Sequence, residues 1–75
     1  MNLSQKSLIF IEKNVLHNLG FDSITMDNLQ DIVDFIADNF EIPLAQAKEN
    51  GESIDEDLLE LSASVITEIT TNPDW

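Results

Sequence analysis

Few side chains of this sequence could take part in catalysis. The 75 residues include no cysteine, tyrosine or arginine, and His17 is the only histidine. Asn14 stands three residues before His17, so the Glu-x-x-His spacing of a di-iron site is missing, and no second histidine completes a zinc-binding pair. Acid–base catalysis needs carboxylates in a pocket that separates their pKa values, whereas most acids here fall on predicted solvent faces. We therefore predict a surface position for His17, no enzymatic activity, no metal site and no cofactor.

A calcium loop is the next chemistry that so acidic a sequence suggests. The stretch from Asn50 to Asp57 superficially resembles an EF-hand loop. Placing Gly51 at the sixth position of such a loop puts Gln46 first and Lys48 third, where the motif requires oxygen anions. The sequence therefore predicts no specific calcium site.

The most distinctive pattern is a row of aspartates on one predicted helix. At about 100° per residue, four of them lie within about 60° of one another, opposite the apolar residues of that helix. They are Asp27, Asp31, Asp34 and Asp38. Phe35 lies at the border between this row and the apolar face. Because the formal net charge is −12, the chain repels nucleic acid and anionic lipid. We predict that the four aspartates and Phe35 contact a basic surface of another protein.

Two other interpretations of the aspartate row stay open. Charged outer faces maintain solubility, so the row could serve that purpose alone. Alternatively, neighbouring positions on a helix face are about 5–6 Å apart, close to the spacing of phosphates along a strand, so the chain could imitate DNA. Competition by polynucleotide for the same partner would separate a DNA mimic from a more general acidic module.

The amino-terminal residues predict neither export nor membrane insertion. Residues 1–6 contain no arginine, and only four consecutive apolar residues, from Leu8 to Ile11, follow before Glu12. That run is too short for a signal peptide or a membrane span. The absence of cysteine is compatible with a reducing compartment. We expect a cytoplasmic protein that does not contact the membrane.

Two helices are predicted in the first half of the chain. The first runs from about residue 4 to 19 and ends at Gly20, which suits the left-handed residue that commonly follows a helix. The second spans about 26–40, with Thr25 as its amino-terminal cap. Pro43 should end or bend this helix near Glu41, because proline disfavours helical geometry in the residue before it.

Two more helices are predicted in the second half. A short helix spans about 43–50, with Pro43 in its first turn and Gly51 after its end. The last helix spans about 54–70, and Ser53 and Glu56 form its capping box. Together the elements predict an all-α fold, a single-domain bundle of residues 1–75 with three main helices and one short helix. Residues 71–75 are expected to form a flexible tail.

Helical periodicity also predicts which side chains are buried. On the first helix one apolar arc contains Leu8, Ile9, Ile11, Val15, Leu16 and Leu19, with Glu12 in its middle. Phe10 falls on the opposite side, beside Lys6 and Lys13. The buried face of the second helix contains Met26, Leu29, Ile32, Val33, Ile36 and Phe40. We expect Phe10 and Phe35 to be covered by the short helix or the tail; if exposed, they would be interface anchors, as would Trp75.

Two resemblances extend these predictions. The segment Gly20-Phe21-Asp22-Ser23-Ile24 resembles the G-x-D-S-[LI] motif of acyl carrier proteins, which implies a 4′-phosphopantetheine group on Ser23 as an alternative function. The resemblance covers barely a third of the chain, and only 22 residues precede the serine, whereas carrier proteins have a longer first helix and loop there. As a whole, the chain resembles short uncharacterised acidic helical proteins carried on conjugative elements of Gram-positive bacteria. The segment 52–69 and the ending Thr-Thr-Asn-Pro-Asp-Trp prompt that comparison.

Overall fold

The computed structural model describes residues 3–71, and in this range it contains three helices and no strand. The first helix covers residues 5–19, the second covers residues 29–49, and the third is Glu56–Thr71. The prediction of an all-α bundle with three main helices is confirmed. Trp75 and most of the predicted tail lie outside the described residues. Thr71, which was expected in the tail, is the last residue of the third helix.

Each of the first two helices contains one wider, π-helical turn. In the first helix, Glu12–Leu16 separates the α-helical segments Gln5–Ile11 and His17–Leu19. In the second helix, Ala37–Glu41 separates Leu29–Ile36 from Ile42–Glu49. A π turn holds one residue more than the α pattern allows. Side chains after the turn therefore face a different direction from the one that a uniform helical wheel gives.

The segment predicted as a short helix over 43–50 is α-helical as Ile42–Glu49, with Pro43 in its first turn, but the second helix continues into it through the π turn without a break. Ile42 keeps helical angles, φ −64° and ψ −50°, although it directly precedes proline. The π turn ends at this position, and the Ile42 amide bonds to Ala37 five residues back. Pro43 has no amide hydrogen, so it cannot donate to the carbonyl of Asp38 or Asn39. Both residues are exposed in the turn, and water can donate to these carbonyls instead. The chain therefore continues as one helix to Glu49.

The helix ends follow the glycine signals of the sequence. Gly20 has φ 76°, and the Phe21 amide bonds to the Leu16 carbonyl at 3.0 Å. Gly51 has φ 81°, and the Glu52 amide bonds to the Ala47 carbonyl at 3.0 Å. Both patterns are Schellman motifs, in which glycine supplies the left-handed residue at no steric cost. The predicted ends at Gly20 and Gly51 are correct.

The helix starts differ from those predicted. The second helix begins at Leu29 after a turn over 26–28, so Thr25 is not its cap and Met26 lies outside it, 70% exposed. The third helix begins at Glu56, where the Asp55 carboxylate accepts the Leu58 amide at 3.1 Å. Asp55 therefore performs the capping that was assigned to Ser53.

The core lies where the three helices meet. Its most buried apolar side chains come from all three helices and are Phe10, Ile11, Val15, Leu16, Ile32, Ile36, Val65 and Ile69. Ser62 is also fully buried. The third helix packs against the π turn of the second helix and its preceding α segment. On the second helix, burial from Leu29 to Phe40 largely follows the predicted periodicity, with Ile32 and Ile36 fully buried.

The predicted apolar face of the first helix is wrong at Ile9 and Phe10, whereas Ile11 is fully buried as predicted. Phe10 is only 4% exposed and belongs to the core, whereas Ile9 is 43% exposed. The helical wheel assumed one uniform periodicity across the Glu12–Leu16 turn, and the extra residue there turns the two ends of the helix by about 100° relative to that assumption. Glu12 is consequently exposed and does not lie within an apolar arc.

A serine–glutamate cluster joins the start of the first helix to the end of the third. The Ser7 hydroxyl donates to Glu68 Oε2 at 2.5 Å, and the Ser4 amide donates to Oε1 at 2.7 Å. Ser4 is also the amino-terminal cap of the first helix, since its hydroxyl accepts the Ser7 amide. The hydrogen bond from Ser7 and then that from Ser4 hold the pKa of Glu68 below its usual range. The carboxylate therefore ties two helices together while it is ionised.

The core assignment predicts a large effect of shortening Ile36. This side chain is fully buried, so Ile36→Ala should lower the free energy of unfolding by about 2–5 kcal/mol. A chain of this length has a total of roughly 4–11 kcal/mol. Met26→Ala, at an exposed site, should change stability by less than about 0.5 kcal/mol. Denaturant titrations followed by circular dichroism measure both variants, and equal losses would contradict the assignment.

The Glu68 cluster predicts a pH-dependent contribution to stability. Because the folded-state pKa of Glu68 lies below 4.5, the contribution is complete above that pH and is lost as the pH falls through the folded-state value. Glu68→Gln should therefore destabilise the protein at neutral pH, with a difference from the wild type that shrinks as the pH falls through the folded-state pKa of Glu68. Glu49→Gln, at an exposed site, serves as the control. Denaturant titrations from neutral to acidic pH test this prediction. A pH-independent difference in the free energy of unfolding would exclude the ionised cluster as the cause.

Candidate functional site

The acidic face of the second helix is the set of four aspartates singled out in the sequence, and all four are exposed. Asp31 and Asp34 lie in the segment Leu29–Ile36, and Asp38 lies in the π turn Ala37–Glu41. Asp27 belongs to the turn before the helix, so the expected helical row is wrong at that residue. The opposite side of the same segment buries Ile32 and Ile36 completely. The helix thus separates apolar burial from outward-facing carboxylates, as predicted.

In the described part of the chain, no basic side chain pairs with the acidic face. Within residues 3–71 the structure has one ion pair, between Lys48 Nζ and Glu56 Oε1 at 2.7 Å. This pair raises the pKa of Lys48 and lowers that of Glu56, first through their hydrogen bond and then through their charges. On the acidic face itself, Gln30 donates its side-chain amide to Asp34 Oδ1 at 2.9 Å. A neutral amide leaves the charge of the face unbalanced.

Phe35 is the outermost member of a row of three aromatic rings. Its ring centroid lies 6.3 Å from that of Phe40, and the Phe40 centroid lies 5.2 Å from that of Phe10 in an edge-to-face arrangement. Phe10 is buried, whereas Phe35 and Phe40 are half-buried. Phe40 of the second helix packs against Phe10, although the sequence led us to expect a short helix or the tail there. Phe35 keeps accessible surface next to the acidic face.

Sequence reasoning missed Asn28, which fixes the loop before the second helix. This residue is 8% exposed, and its side chain accepts the Thr25 amide and donates to the Ser23 carbonyl, both at 2.8 Å. Asparagine commonly bonds to nearby backbone in turns, but its spacing in the sequence gave no reason to prefer it over Thr25. Asn28 therefore positions Asp27 and the chain leading into the acidic face.

Ser23 and His17, the two residues considered for covalent attachment and metal binding, are both exposed. Ser23 lies in the loop, and the second helix begins only at Leu29. Attachment of phosphopantetheine to Ser23 stays a prediction. In the described part of the chain, no three histidine or acidic side chains are placed to hold a metal ion together. None of the helices in that part has the length and apolar character needed to cross a membrane.

Comparisons with known proteins give this chain no family. Neither the protein-family models, nor the curated proteins, nor the solved structures contain a match. The resemblances to acyl carrier proteins and to proteins of conjugative elements therefore stay hypotheses. Function must be inferred from the acidic face and its surroundings.

The role of Asn28 predicts a loss of stability on its removal. Asn28→Ala deletes two part-buried hydrogen bonds to loop backbone and should lower the free energy of unfolding by about 1–3 kcal/mol. Asn18→Ala is the matched control, because Asn18 is exposed and its amide only bonds back along its own helix. Denaturant titrations measure both, and amide hydrogen exchange at Thr25 should accelerate only in the Asn28 variant. Equal behaviour of the two variants would show that Asn28 does not hold the loop.

Proposed function

We propose that this protein is a non-enzymatic interaction module whose acidic face binds a basic surface on another protein. The observation that carries the proposal is the combination of four exposed aspartates with the absence of any cation paired to them among residues 3–71. Like charges on neighbouring helix positions destabilise a helix slightly. A basic partner would remove this repulsion on binding. The cytoplasm is the compartment that we propose for this interaction.

Charge and apolar contact have different roles in the proposed complex. The net charge of −12 steers a cationic surface towards the protein and accelerates encounter. Phe35 offers apolar contact beside Asp31, Asp34 and Asp38, and aromatic anchors usually supply more of the affinity than peripheral charges do. Interface charges therefore govern the association rate, and the anchor governs the lifetime of the complex.

Replacing the four aspartates by asparagine tests this division. A partner is first captured from a host lysate on the immobilised wild-type protein and eluted with salt, and its binding kinetics are then measured. At low salt the association rate of the four-asparagine variant should be lower by at least about tenfold. Its association should also depend less on salt, and its dissociation rate should be nearly unchanged. Phe35→Ala should mainly accelerate dissociation.

The control variant changes net charge equally at exposed acids away from the acidic face. It carries glutamine at Glu12, Glu49, Glu52 and Glu60. If the acidic face is the binding site, this variant should associate much faster than the four-asparagine variant. Equal rates for the two would refute the face as the site, and polynucleotide competition for the captured partner would identify the DNA-mimic form of the proposal.

A further inference from the structure

An apolar groove runs between the first and third helices, away from the acidic face. It has a volume of about 340 Å³, and its lining combines four apolar side chains, two lysines and one asparagine. The apolar side chains are Ile9, Phe10, Leu58 and Leu61. Ile9 is 43% exposed, which is unusual for isoleucine on a helix that otherwise buries its large apolar residues. The groove is thus an apolar surface with no cover from the described residues.

The two sides of this groove carry opposite charge. Lys6 and Lys13 stand on the first helix, and neither forms an ion pair within the described range. Across Leu61, a second depression that shares Lys6 with the groove is lined by Asp57 and Glu60 of the third helix. In a chain with fifteen acids and three lysines, two lysines thus lie along the apolar groove. The surface therefore has a basic edge and an acidic edge on either side of an apolar strip.

The first and third helices lie antiparallel, which fixes the position of each charged residue along the common helix direction. Ser4 contacts Glu68 at one end, and Lys13 lies near Leu58 towards the other end. A two-fold axis parallel to the helices would place the first helix of one copy over the third helix of the other. Lys13 would then face Asp57 of the second copy, and the symmetry would form this pair twice. A two-fold axis perpendicular to the helices would instead place the lysines of one copy over the lysines of the other.

We infer that this groove is a dimer interface, and that its occupant is a second copy of the same chain related by a two-fold axis parallel to the helices. Only this arrangement pairs the basic edge with the acidic edge twice while it buries Ile9 against apolar side chains. Closed two-fold dimers are the commonest symmetric assemblies. The inference does not depend on the proposed function, because the interface uses no residue of the acidic face.

Salt should strengthen this dimer, because two chains of charge −12 repel each other over long distances. The Debye length falls from about 30 Å at 0.01 M salt to about 8 Å at physiological ionic strength, so screening removes most of the long-range repulsion. The short-range pairs and the apolar contact are screened much less. Binding of a basic partner to the acidic face has the opposite salt dependence, which distinguishes the two interactions.

Sedimentation equilibrium of the full chain tests the inference. The wild type should form dimers at protein concentrations up to about 1 mM, and raising the salt from about 0.02 to about 0.3 M should strengthen them. Ile9→Glu should weaken dimerisation at least about tenfold, whereas Met26→Glu, with the same charge change at an exposed site elsewhere, should not. A wild type that stays monomeric across this range, or equal effects of the two variants, would overturn the inference. Circular dichroism verifies that both variants are folded.

Charge reversal tests the orientation of the two copies. Lys13→Glu alone and Asp57→Lys alone should each weaken dimerisation, because each places like charges opposite each other. Mixing the two variants should restore dimers. In the mixed dimer the two substituted side chains face each other with opposite charges at one contact, and the native pair forms at the other. Failure of the mixture to associate better than either variant alone would exclude this two-fold arrangement.

Discussion

The structure depends on apolar contact between three helices whose charges repel one another. Ile32 and Ile36 of the second helix are fully buried together with Ile11 and Val65 of the other two helices. A net charge of −12 opposes any compact state, so this contact must outweigh both self-repulsion and the entropy of ordering the chain. Hydration of the carboxylates limits the repulsion only if they face outward. The core therefore determines which side of the second helix becomes the acidic face.

Glycine positions and apolar periodicity predicted much of this fold from the sequence. Gly20 and Gly51 marked helix ends correctly, because a left-handed residue has few alternatives to glycine. The aspartates opposite Ile32 and Ile36 were placed correctly because the 3.6-residue period of the α-helix puts apolar and acidic side chains on opposite faces. Helix starts were harder, because serine, threonine, asparagine and aspartate can all cap a helix. Asp55 performs this function on the third helix, whereas the Asn28 side chain before the second helix bonds to loop backbone instead.

The π turns account for the larger errors. They have no signature in apolar spacing, and they place Phe10 in the core, although the helical wheel put it on the side of Lys6 and Lys13, and turn Ile9 towards solvent. They also let the second helix continue past Pro43. In both turns an asparagine side chain bonds to a phenylalanine carbonyl four residues back, Asn14 to Phe10 and Asn39 to Phe35. The surfaces that result, the acidic face beside Phe35 and the groove beside Ile9, could not be assembled from a uniform helical wheel.

Backbone chemical shifts and amide hydrogen exchange across residues 29–49 test the central claim most directly, since the acidic face exists only if this stretch is one helix with Ile32 and Ile36 inside. We predict uninterrupted helical shifts on both sides of Pro43, slow exchange at the amides around Ile36, and carboxylates of Asp31, Asp34 and Asp38 that a soluble paramagnetic probe can reach. Extended shifts over 29–40, or a probe excluded from those three carboxylates, would contradict it.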